Sequence, residues 1–105
     1  MKGAAAASVA LVPSLSPANQ PKVHDVEIRS FAFHPEVIRV HIGDTIRWTN
    51  RDIAPPTATA DEFGWDTESL DKNEAGEIPV RAGMEVSYFC VFHPHMKGGI
   101  EIISG

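Results

Sequence analysis

The run Ile38-Arg39-Val40-His41-Ile42-Gly43-Asp44-Thr45-Ile46-Arg47-Trp48-Thr49-Asn50 alternates apolar with polar side chains on both sides of a Gly-Asp pair. Successive residues of a β-strand point to opposite faces, so Ile38, Val40 and Ile42 share one face of a first strand. Ile46 and Trp48 share one face of a second, and Gly43-Asp44 supplies the turn chemistry between them. A helix would need apolar residues at three- and four-residue spacing, which this run lacks.

The same period extends in both directions. Upstream, Val26 and Ile28 alternate with Glu27 and Arg29; downstream come Ile78 and Val80, then Val86 and Tyr88 alternating with Ser87 and Phe89, and finally Ile100 and Ile102. Turn signals recur every eight to twelve residues, the pattern of a sandwich or barrel. Asp61 to Ala75 has caps and charges but too few apolar positions for more than a short helix or loop. The class is all-β, and strands with one apolar face each require two sheets packed together or one sheet curled closed. Trp48, Phe31, Phe33, Tyr88 and Phe89 are the large side chains available for that core.

Composition narrows the function. The 105 residues suit a single domain, and 43% hydrophobic with 22% charged residues is ordinary for a folded chain. With 14 Asp+Glu against 9 Lys+Arg and a pI near 5.4, nothing offsets repulsion from a nucleic-acid backbone. No apolar run reaches the roughly 20 residues of a membrane-spanning helix. Met1-Lys2-Gly3, the alanine-rich stretch Ala4 to Val12, and small residues at Ser16 and Ala18 read as an export signal, residues 1–18, cleaved after Ala18. Residues 19–105 then form one domain, placed in the periplasm. Such a domain is near the lower size limit for a core without a disulfide, and a bound metal would help to clip it.

The chemistry lies in Cys90-Val91-Phe92-His93-Pro94-His95-Met96, read as a tight loop between the Val86 to Phe89 strand and the last strand. Cys90 is the only cysteine, so it forms no disulfide within the chain. Thiolate and thioether sulfur suit copper(I), and imidazole suits either oxidation state. A donor set between those preferences keeps reorganisation small during electron transfer. Pro94 stiffens the loop by fixing its own backbone angle. A lone buried cysteine is commonly core filler, but C-x2-H-x2-M in a β-to-β loop points to a metal. A Cys/His nucleophile pair lacks an orienting carboxylate or an oxyanion-hole signature.

Taken together, Gly43 to Asn50, the following Arg51-Asp52-Ile53-Ala54-Pro55 loop, and the Cys90 to Met96 spacing resemble the cupredoxins (blue copper proteins), closest to the amicyanin, plastocyanin and pseudoazurin group. The resemblance covers residues 23–105. It implies a Greek-key β-sandwich holding one type 1 copper ion, with no enzymatic turnover, passing single electrons between periplasmic redox partner proteins; a monomer is the default expectation for the acidic chain. By motif, Cys90 would be the thiolate ligand, His93 the imidazole nearer the surface and Met96 the weak axial ligand. The group carries a further histidine after the Trp-Thr-Asn strand, and there this chain has Pro55-Pro56, so Pro56 brings no donor atom. His34 and His95 are the nearest imaginable substitutes. Three outcomes stay open: an altered copper site, a copper(I) storage or delivery module, or a metal-free binding protein.

Asn50 aligns with an asparagine that ties the ligand loops in these relatives, and Val91 replaces a frequent Ser or Thr. Phe92, Pro94 and Pro55 would form an apolar patch around the exposed histidine. Asp61, Glu62, Asp66, Glu68, Asp71, Glu74 and Glu77 read as a solvated acidic face, with steering of a basic partner as the functional alternative.

Overall fold

The computed structural model describes residues 20–104, and the export signal expected at 1–18 lies outside them. Eight strands follow in order: β1 Val23–Arg29, β2 Ala32–His34, β3 Val37–Val40, β4 Thr45–Asn50, β5 Thr59–Ala60, β6 Ala75–Pro79, β7 Ser87–Cys90 and β8 His93–Ile102. One sheet runs β2-β1-β4-β6 and the other β3-β8-β7-β5. Both are mixed, because β1 pairs parallel with β4 and β3 parallel with β8. Among the described residues no helix is long and apolar enough to cross a membrane.

Alternation in the sequence becomes burial in the fold. Val26, Ile28, Ile46 and Trp48 point inward from the first sheet, and Ile38, Val40, Tyr88, Cys90, Met96 and Ile100 from the second. Trp48 and Tyr88 meet edge to face across the gap with ring centroids 5.3 Å apart, and Phe33 meets Tyr88 at 4.8 Å. Gly98, opposite Tyr88 in the β7–β8 ladder, leaves the space its ring occupies: a Cβ there would lie 2.3 Å from Tyr88 Cζ.

Several expectations change. Phe31 sits on the surface at the β1–β2 turn and Phe89 is only half-buried, so neither anchors the core. Ile42 is exposed because β3 ends at Val40, before the turn. Residues 61–74 take the loop form of the short helix or loop expected there, pinned by a Thr59–Asp66 bridge and by the buried Leu70, and Ala75 already opens β6. The loop expected at Cys90 to Met96 is shorter than its sequence suggests, since β8 begins at His93 and leaves Val91-Phe92 as the turn.

Candidate metal centre

Cys90 closes β7 with its side chain inward and fully buried, two residues beyond Tyr88 on the same face. The ladder shifts register between Phe89 and Cys90, so that Cys90 pairs with His93 directly. This bulge turns the imidazole toward the sulfur: Cys90 Sγ and His93 Nδ1 are 4.0 Å apart. That separation is long for a hydrogen bond to sulfur. It matches two donors of one ion, since bonds of about 2.3 Å to thiolate and about 2.0 Å to imidazole span it with a bent angle. Met96 is buried in the cluster that contains Cys90. The backbone N–H of Thr57 donates to Cys90 Sγ over 3.5 Å, which favours an electron-rich sulfur. A soft sulfur carrying a donor N–H, beside an imidazole nitrogen it does not bind, fits a soft metal.

Thr57 is the residue that sequence reading missed. Its Oγ1 accepts the Val91 N–H at 3.0 Å and its hydroxyl pairs with that of Thr59 at 2.9 Å, while its own N–H reaches the sulfur. It therefore ties the segment after Pro56 to the Cys90 turn, the task expected of Asn50. Its one sequence signal is a small hydroxyl residue immediately after the Pro56 position.

Asn50 works elsewhere. Its Nδ2 donates to the carbonyls of Asp52 and Leu70, each at 2.9 Å, and its Oδ1 accepts the Asp52 N–H at 2.8 Å. This Asx arrangement shapes the 51–54 loop. Asp52 then accepts the N–H groups of Ser30 and Phe31 at 2.9 and 3.0 Å. Both residues have left-handed backbone, with φ of 53° and 56°, and the carboxylate offsets the cost of that conformation. The Phe31 ring so placed lies 5.0 Å from that of His93.

Pro56 is buried and its carbonyl accepts the Leu70 N–H at 2.9 Å. No other histidine takes the place of the absent donor. His24 Nε2 lies 2.8 Å from Asp44 Oδ2, and His41 flanks the same carboxylate, where β4 begins rather than where it ends. His34 Nε2 pairs with the Arg29 carbonyl, and His95 is exposed. Among the described residues no three His, Cys, Asp or Glu side chains converge on one point, so Met96 is needed to complete a three-donor set.

Exposed apolar side chains surround this end: Phe31 is 56% exposed, Phe92 57% and Ile53 85%, while Pro55 and Pro94 are exposed as expected. The seven acidic residues of the 61–77 segment are all exposed. Several hold the loop together: Asp66 accepts from Thr59 and Glu68, and Glu74 accepts the Asp71 N–H.

The two sheets and their connections define a cupredoxin fold, and the relationship expected from the sequence holds. The chain is similar to amicyanin of Paracoccus denitrificans, 26% identical over 107 residues that cover 93% of this chain and 82% of that protein. A copper(I) form of an amicyanin variant superposes with a TM-score of 0.69 at 23% identity, covering 85% of this chain and 90% of the other. A copper-containing nitrite reductase from Thermus scotoductus gives a TM-score of 0.68 at 25% identity, over 87% of this chain but 24% of that larger one. No family model matches the chain.

Proposed function

We propose that this chain is a small exported copper protein that carries single electrons between redox partners in the periplasm, without turning over a substrate. One copper ion would be held by the Cys90 thiolate, the His93 imidazole and, weakly, the Met96 thioether. The observation that carries the reading is the placement of Cys90 Sγ and His93 Nδ1 4.0 Å apart, with the Thr57 N–H on the sulfur. Copper would supply the one-electron couple. The chain's own residues limit reorganisation: Thr57 fixes the sulfur, Phe31 packs by the imidazole, and the Val91-Phe92 turn keeps both on one hairpin. The exposed apolar rim of Phe31, Phe92 and Ile53 is the face a partner would cover.

Pro56 favours a second reading, because a buried residue without a donor leaves a sulfur-rich set that suits copper(I) storage or delivery. Adding copper(II) to the purified protein separates the two. Intense thiolate-to-copper absorption with reversible one-electron reduction supports the carrier; colourless, tight copper(I) binding supports the store. Pro56→His is expected to strengthen the absorption and make it more typical of a blue site. A variant that binds and cycles no better than the parent would show that residue 56 does not face the metal.

A further inference from the structure

A cavity of about 380 Å³ lies away from the Cys90 turn, lined in part by Trp65, Ile78, Arg81, Met84 and Glu85. Its wall leads inward through aromatic rings. Half-buried Trp65 stacks on buried Trp48 with centroids 5.4 Å apart and planes inclined by 28°. Trp48 meets Tyr88 at 5.3 Å, and Tyr88 is two residues from Cys90 on the inward face of β7. We propose that Trp65, Trp48 and Tyr88 form a relay that carries oxidising equivalents from this cavity to the Cys90 sulfur, a second redox route distinct from the His93 surface.

Two physical features favour passage over trapping. Tunnelling falls exponentially with distance, so short steps between adjoining rings outrun one long step. Moreover, neither Trp48 Nε1 nor Tyr88 Oη has a hydrogen-bond partner. The group that faces the Trp48 indole is the neutral Tyr88 phenol, too weak a base to take the proton of an indole radical cation, so the radical cation stays a strong oxidant and passes the hole on. The Tyr88 ring, buried between Trp48 and the inward face of β7, bridges the last step toward Cys90. Trp65 is held in place by its indole N–H, which donates to the Glu85 carbonyl at 3.0 Å.

The electron count closes. A one-electron oxidant strong enough to oxidise indole takes an electron from Trp65, Trp65 takes one from Trp48, and Trp48 takes one from Cys90 through the Tyr88 ring. In the metal-free protein the Sγ–H bond breaks: its electron fills the hole, its proton leaves by way of His93, the thiyl radical adds dioxygen and rearranges to a sulfonyl radical, and a second one-electron oxidant with water takes this to the sulfonic acid, releasing a proton. This terminus is the sulfur itself, so the relay stands or falls apart from the copper reading.

The test uses the full chain, stripped of metal, in air, with photogenerated tris(bipyridine)ruthenium(III) and a cobalt(III) ammine as sacrificial acceptor. Peptide mass spectrometry reads oxygenated Cys90 and oxidised Trp65. Trp48→Phe is expected to lower oxygenated Cys90 severalfold while raising oxidised Trp65, because the hole is stranded at its entry. Trp65→Phe is expected to lower oxygenated Cys90 severalfold, and it decides the matter if the Trp48 variant does not fold. Oxygenated Cys90 at the parent's level in the folded Trp65 variant would overturn the relay.

Discussion

The two ends of the sandwich handle histidine in opposite ways. Where β4 begins, His24 and the N–H groups of His41 and Lys22 converge on Asp44, a carboxylate 4% exposed. The carboxylate's acceptor capacity and one nitrogen of His24 are taken up within the protein. Where β4 ends, a buried sulfur, an imidazole nitrogen at 4.0 Å and a buried thioether share a region without a strong bond between them. The first end is a structural clamp complete within the protein, and the second has donor capacity that its neighbours do not use. The comparison teaches that ligand capacity lies in what a histidine's neighbours leave unmet.

Substitutions at the two ends should therefore divide into losses of metal and losses of stability. The largest effect is expected from Cys90→Ala, which should lower copper affinity by far more than the roughly 10–100-fold typical of an outer partner. Competition with a chelator measures it; near-parental affinity would place the metal elsewhere.

Asp44→Asn should act at the other end, on stability alone. Burial opposes the Asp44 charge, but the His41 N–H, the His24 ring and the Lys22 N–H outweigh it and hold the carboxyl down from 3.8 to about 2. The folded value lies below the unfolded one, so the contribution is complete above about pH 4 and is lost as pH falls toward 2. It amounts to about 2 kcal/mol. Unfolding free energies of parent and variant from denaturant titrations should differ by that amount at pH 7 and draw together below pH 4, with copper uptake unchanged. A constant gap across that range would mean that the charge is not what matters.

The smallest effect is expected at Thr57→Val, which removes the acceptor for Val91 N–H but keeps the N–H donated to sulfur. Copper affinity should fall about tenfold, at the low end for an outer partner. A fall as large as that of Cys90→Ala would mean that Thr57 is itself a ligand.

The strands that form the core were legible because their side chains alternate over four or more residues, as in Thr45 to Asn50. β2 and β5, with three and two residues, are too short to show a period and exist through pairing with β1 and β7. Phe31 was misplaced because hydrophobicity alone does not reveal a left-handed turn held by Asp52 from 21 residues away. The candidate ligands were legible because all three lie within Cys90 to Met96. Thr57 was not, since its link to Cys90 spans 33 residues and is a backbone hydrogen bond that any residue except proline can donate.

The most direct test is a titration of the purified chain with copper(II), followed by visible spectrum and metal content. The expected result is one copper per chain with a strong band from sulfur to metal, bleached and restored by one-electron reduction and reoxidation. A protein that takes up no copper in either oxidation state would contradict the assignment of Cys90, His93 and Met96 as a metal centre.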